Sequence, residues 1–284
     1  MAGQQKPIGD QAVPEFLYGT AWKEEKTQSL VEQALGQGFR GIDTANQRKH
    51  YVEQAVGRGI AAAVAAKVVR REQLFIQTKY TFQRGQDHRL PYDPKLPISD
   101  QVWQSFRSSL EHLQTDYLDS LILHGPSSRN GLLDNDWAAW RGMEAVHGSG
   151  RVRFLGISNV ALPQLKLLCD KASVKPRFVQ NRCYASTGWD REIRQYCLAH
   201  DIVYQGFSLL TANQKYLRHP KILDIGKSHG MSISQTIFRF AMDARMIPLT
   251  GTSSREHMAH DLLAHDFRLS EAEVAAIETV ALNA

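Results

Sequence analysis

The sequence predicts a closed (β/α)8 barrel, and three observations carry that prediction. Eight short apolar runs of strand length are spread along the 284 residues. Amphipathic stretches of helical period lie between them. Polar and Gly/Pro-containing turns punctuate the chain evenly, and no low-complexity linker divides it. Strands alternating with helices demand a parallel sheet, and eight such units are the number that closes one into a barrel. With 43% hydrophobic and 22% charged residues, residues 1–284 read as a single domain with an ordinary globular composition.

Taken in order, the first run is EFLYGT (15–20), ending in Thr20. A helix follows in KTQSLVEQALGQG, where Leu30, Val31, Ala34 and Leu35 share one stripe. FRGID (39–43) ends in Asp43, LFIQTK (74–79) in Lys79, and LDSLILH (118–124) in His124. VRFLGISN (152–159) closes on Ser158 and Asn159, while RFVQN (177–181) carries Gln180. IVYQGFS (202–208) ends in Ser208, and MIPLTG (246–251) carries Thr250. Before that last run, Ile233, Ile237, Phe240 and Ala241 mark a helix, and LSEAEVAAIETVALNA reads as a final one.

In such barrels the chemistry sits at the C-terminal ends of the strands. An acid, a lysine and a histidine therefore converge on one mouth as Asp43, Lys79 and His124, and Tyr51 enters from the loop after the second strand. A phenol titrates near 10, so it is a reluctant acid alone. A nearby lysine ammonium is expected to lower that value, and a carboxylate paired with the lysine keeps the ammonium charged. His124 is placed to orient the reacting oxygen. Such a set delivers a proton to an alkoxide developing as hydride adds to a carbonyl carbon, which implies a nicotinamide cofactor.

Composition narrows the partners. A net charge of +5 and a pI of 9.1 arise from Lys and Arg interleaved with acids. The densest basic cluster, KVVRRE (67–72), reads as the end of a helix, so no nucleic-acid partner is expected. Cys169, Cys183 and Cys197 are odd in number and lack metal-ligand spacing, which points to reduced thiols and no metal. No apolar stretch is long enough to span a bilayer and no cleavable leader is evident, so a cytoplasmic location without membrane association is expected.

The ordered set FLYGTAW, GIDTA, TK, DYLDSLILH, GISN, VQNR, GFSLL and PLTGTSS resembles the aldo-keto reductases over essentially the whole chain. The resemblance implies an oxidoreductase that reduces an aldehyde or ketone with NADP(H), or with NAD(H) as the alternative. It also implies extended cofactor binding without a G-x-G-x-x-G fingerprint, and none follows a strand here. By the same resemblance the catalytic tetrad is Asp43, Tyr51, Lys79 and His124. Ser158, Asn159 and Gln180 hold the carboxamide, and Phe207 stacks on the ring. Ser208, Leu209, Thr250, Gly251 and Thr252 line the phosphate side, and Thr20, Arg255, His257 and Asp261 complete the cofactor set. A regulatory barrel that retains cofactor with little turnover is the competing reading.

The chain departs from the family pattern in two places. Tyr51 is eight positions after Asp43 and two before Glu53, whereas the usual spacing of three before the glutamate lands on His50. The lysine and arginine that often grip the 2′-phosphate are replaced by Leu249 and His257, leaving Thr252, Ser253, Ser254 and Arg255 at a helix N-terminus as substitutes. Trp22 is expected on the substrate pocket wall. The long segment from residue 80 to 99 is expected to close over substrate through Tyr80, Phe82 and Tyr92, in place of the C-terminal tail that often covers the pocket. Arg239 is expected to pair with a neighbouring acid and Glu53 to serve as a helix-start acid.

Overall fold

The computed structural model describes residues 5–8 and 11–282. An antiparallel hairpin, β1 (Gln5–Ile8) and β2 (Gln11–Pro14), precedes the barrel. The barrel strands are β3 (Leu17–Gly19), β4 (Gly41–Asp43), β5 (Phe75–Tyr80), β6 (Leu118–Leu123), β7 (Val152–Ser158), β8 (Phe178–Arg182), β9 (Val203–Phe207) and β10 (Met246–Thr250). They are all parallel and close in the order β10-β3-β4-β5-β6-β7-β8-β9. Each of the eight apolar runs expected from the sequence overlaps one of these strands, with β5 and β8 running one residue past theirs.

The helices are α1 (Thr27–Gln37), α2 (Glu53–Ala65), α3 (Ile98–Leu113), α4 (Asp134–Gly148), α5 (Leu162–Lys171) and α6 (Arg191–Ala199). After β9 come α7 (Gln214–Leu217), α8 (Pro220–Ser228) and α9 (Ile233–Asp243), then α10 (Arg255–Leu262) and α11 (Glu271–Glu278). Leu30, Val31, Ala34 and Leu35 of α1 are all buried, as their stripe requires. Ser232 and Ser270 start α9 and α11 as N-caps inside reciprocal capping boxes with Gln235 and Glu273.

Two layers of core position the site. The larger fills the space between strands and helices. A smaller inner cluster of Leu17, Phe75, Ile122, Phe178, Ile247 and Leu249 packs the barrel interior. Val13 of β2 belongs to this inner cluster, so the hairpin stops the N-terminal end. Strand alternation decides which residues reach the opposite, open end. Along β5, Phe75 faces inward and Ile76 outward; Gln77 and Lys79 then face inward, and Thr78 and Tyr80 face the helices.

The KVVRRE segment is not the end of a helix, because α2 stops at Ala65. Arg71 from this segment instead pairs with Asp119 of β6 at 2.9 Å. Arg239 is ion-paired to Asp243 at 2.6 Å within α9, as expected.

Candidate active site

Asp43 ends β4 and Lys79 stands one residue before the end of the adjacent β5, so parallel pairing alone brings them together at the open mouth. Lys79 Nζ donates to both Asp43 carboxylate oxygens at 2.7 Å and to the Thr44 carbonyl at 2.8 Å. Beneath them lies a layer of amides, of which the sequence reading named Gln180 but not Gln77 or Gln205. Gln77 Nε2 donates to Asp43 at 2.7 Å and Gln180 Nε2 donates to it at 2.9 Å; both also donate to Gln205 Oε1, at 2.8 and 3.0 Å. The buried carboxylate is therefore met by charge and by donors on several sides, which is what a buried ion needs. Burial pulls the Lys79 ammonium below its ordinary range, and the Asp43 charge opposes that pull.

Tyr51 reaches the same place from the loop between β4 and α2. The Lys79 ammonium is 5.5 Å from the centroid of its ring, and the His124 ring meets it edge-on at 6.1 Å. Burial and the Asp43 charge push the Tyr51 phenol well above its ordinary range. The expectation that Lys79 lowers this value is thereby corrected: burial and the nearby Asp43 carboxylate both penalise the phenolate and together win. Tyr51 is a phenol that keeps its proton until something takes it.

His124 follows β6, and its Nδ1 is 2.7 Å from the Thr81 hydroxyl, a partner absent from the sequence reading. Burial, with the Lys79 charge second, lowers its pKa to about 3, so the imidazole is neutral. With Nδ1 engaged by Thr81, Nε2 is the nitrogen left for the cavity.

These groups open into a cavity of about 750 Å³. Asp43, Tyr51, His124, Ser158, Asn159, Gln180, Phe207, Ser208, Leu209, Thr250, Gly251, Thr252, His257 and Asp261 all line it, as does Trp22. Asn159 donates from Nδ2 to the His124 carbonyl at 2.8 Å and to the Ser158 hydroxyl at 3.1 Å. Three wall residues, Trp22, Asn159 and Ser208, take positive φ of 61°, 52° and 57°; such uncommon backbone collects at functional sites. The Arg182 guanidinium lies 5.5 Å from the Phe207 ring centroid. At the far end Thr250 donates to Asp261 at 2.8 Å, and burial raises this carboxyl to about 6.

Trp22 is 69% exposed and lies over His50, with ring centroids 3.9 Å apart. His50 also lines the cavity but packs against the indole, whereas Tyr51 neighbours both Lys79 and His124. Lys23, next to Trp22, was also missed by the sequence reading; its ammonium donates to the Gly251 carbonyl across the cavity. The signal was available as a cation directly following the expected pocket tryptophan.

Five expected site residues lie elsewhere. Tyr80 is 1% exposed, faces the helix layer because Lys79 beside it faces inward, and donates to Gln101 at 3.3 Å. Phe82 packs against Tyr80, centroids 5.4 Å apart, in the same outer core. The cover expected from this segment is not formed by Tyr92 either, since it is buried and donates to the Thr81 carbonyl at 2.7 Å. Thr20 is buried, donates its hydroxyl to the Asp43 carbonyl at 3.0 Å and is not part of the cavity wall. Arg255 opens α10 as an exposed residue and is also outside that wall, and Ser254 is used as the N-cap of α10. Leu249 packs in the inner barrel cluster beside Leu17 and also borders the cavity.

Comparison with known proteins identifies the family and the fold. A sequence profile described as the Aldo/keto reductase family matches residues 15–281. Similar proteins include the glyoxal reductase of Bacillus subtilis, 28% identical over 257 residues that cover 90% of this chain and 83% of that one. The methylglyoxal reductase DkgA of Escherichia coli is 27% identical over 254 residues, 89% of this chain and 84% of its own. In fold, the chain is similar to a Bombyx mori aldo-keto reductase solved with NADP, with a TM-score of 0.83, 24% identity and coverage of 100% and 94%.

Proposed function

The chain belongs to the aldo/keto reductase family, and from that premise we propose that it is an oxidoreductase that reduces an aldehyde or ketone, with NADPH as cofactor and Tyr51 as proton donor. The observation that carries this reading is the position of Tyr51 on the cavity wall, 5.5 Å from an ammonium that is itself paired to Asp43 at 2.7 Å.

Each residue has one task in this reading. His124, neutral and with Nε2 toward the cavity, donates to the carbonyl oxygen and orients it. Tyr51 gives its hydroxyl proton to that oxygen as negative charge develops there. The Lys79 ammonium offsets the negative charge then left on the phenolate, and Asp43 keeps the lysine protonated despite burial. When bound, NADPH supplies the hydride to the carbonyl carbon.

The cavity suits such a cofactor. Its volume of about 750 Å³ lies within the range of ligand sites. Asn159 and Gln180 spend their amide nitrogens on internal bonds, and their carbonyl oxygens are left to accept from a carboxamide. Phe207 offers a ring face, while Lys23, Thr252 and His257 give the far end positive and hydroxyl character for phosphate. NADPH is favoured over NADH, by less than two dedicated basic residues would provide.

The proposed setting is the cytoplasm, with a small carbonyl compound and no nucleic acid as partner; all three cysteines are free and buried, in keeping with a reducing compartment. Among the described residues, no helix is long and apolar enough to cross a membrane. Titration of tryptophan fluorescence with NADPH and NADH, followed by turnover on small aldehydes, ketones and the dicarbonyls glyoxal and methylglyoxal, tests the reading. Tight NADPH binding without turnover on any carbonyl would favour the regulatory barrel instead.

A further inference from the structure

Tyr51 is the wall between two cavities. Beside it lies a second space of about 330 Å³ bounded by residues 45–48, 51–54, 89–91, Ser108 and His112. The loop that carries the phenol thus has open space on one side, where fewer van der Waals contacts hold it. Polar ties add to its placement.

One carboxylate is built for that task. Glu53, two residues after Tyr51, is the first residue of α2 and only 4% exposed. One of its oxygens accepts the Thr78 hydroxyl, and the other is 3.0 Å from His112 Nδ1. Thr78 immediately precedes Lys79 on β5. Glu53 thus ties the segment that carries the phenol to the strand that carries the lysine, and anchors both to α3. The α2–α3 contact at this point is close: a Cβ added at Gly57 would come within 1.9 Å of the His112 carbonyl oxygen. A helix-start acid facing solvent would gain from the helix dipole alone; this one is buried and engaged by two partners from two other elements.

The geometry points to Glu53 as a positioning residue for the proton-transfer step, setting the separation of Tyr51 from Lys79 through Thr78 and His112. This inference rests on Tyr51 being the proton donor. Glu53 does not line the main cavity; it reaches the reaction through Tyr51 and through Lys79, whose ammonium its charge also supports and which acts on the phenol.

The test is a double-mutant cycle on kcat for an activated aromatic aldehyde, with NADPH affinity followed by fluorescence. Glu53→Ala is expected to lower kcat by about tenfold or more, as a displacement of the order of an ångström does, while NADPH affinity stays within about twofold because the cofactor-facing residues are untouched. Glu53→Gln, whose amide can still accept from Thr78 and donate to His112, recovers most of the loss. In the Tyr51→Phe background Glu53→Ala adds nothing further, whereas a general structural defect lowers the residual rate in both backgrounds alike. Thr78→Val, which keeps shape and removes one tie, reproduces part of the loss if Glu53→Ala fails to fold. The inference is overturned if Glu53→Ala and Thr78→Val both turn over like the parent, or if their effects are undiminished on top of Tyr51→Phe. Full activity of Tyr51→Phe itself would instead remove the proton-donor reading on which it rests.

Discussion

Lys79 Nζ sits 2.7 Å from each carboxylate oxygen of Asp43, and both side chains are buried at the ends of adjacent parallel strands. This pair joins the fold to the chemistry, since the same contact neutralises a charge inside the barrel and holds an ammonium beside the phenol.

Removing the lysine alone separates those two effects. In Lys79→Met, Asp43 keeps its amide donors but loses its counter-charge, and breaking a buried pair costs about 3–5 kcal/mol. The second change Asp43→Asn removes the orphaned charge, so the double variant regains much of the stability in urea denaturation. Carbonyl reduction stays depressed in both. Activity that returned along with stability would show the lysine to be structural only.

Acid stability reports on His124. Its folded value of about 3 lies below the ordinary 6.5, so the native state binds fewer protons than the unfolded chain between those values. Stability from the neutral imidazole is fully present above pH 6.5 and is lost as pH falls toward 3. His124→Gln is expected to flatten this loss across the same window, measured by thermal unfolding at several pH values. An equally steep loss in the variant would place the acid sensitivity elsewhere.

Cofactor affinity is expected to depend on Lys23, and the choice between cofactors on His257. Lys23→Ala weakens NADPH and NADH together, because both carry the pyrophosphate. His257→Arg strengthens NADPH selectively, since a hydrogen bond to a charged group is worth about 1.5–3 kcal/mol. Fluorescence titration of each variant with each nucleotide reads the two effects. If His257→Arg left the ratio of the two affinities unchanged, the 2′-phosphate would lie outside reach of α10.

Much of this site is legible in the sequence because parallel barrel strands end in the residues that serve the mouth. Asp43, Lys79, His124, Ser158 and Gln180 could be read in that way. The errors have the same physical origin. Tyr80 follows Lys79, so strand alternation sends it to the helix layer, and Phe82 packs after it. Thr20 spends its hydroxyl on the Asp43 carbonyl. Gln77 and Gln205 were missed because they lie inside strands, although Gln77 shares the inward parity of Lys79. Thr81 and Lys23 act from loops, where no period marks a residue. The hairpin of β1 and β2 also escaped notice, since QKPI and QAVP lack an alternating apolar pattern.

The assignment of Tyr51 over His50 is tested most directly by kcat for carbonyl reduction in Tyr51→Phe and His50→Ala, with NADPH affinity measured alongside. The account predicts that Tyr51→Phe loses about 10² to 10⁴ in rate, the usual contribution of a general acid, and binds NADPH like the parent. His50→Ala, which removes a wall residue packed against the Trp22 ring, is milder. A Tyr51→Phe enzyme within about tenfold of the parent, or an inactive His50→Ala beside an active Tyr51→Phe, would contradict it and move the proton transfer to the imidazole.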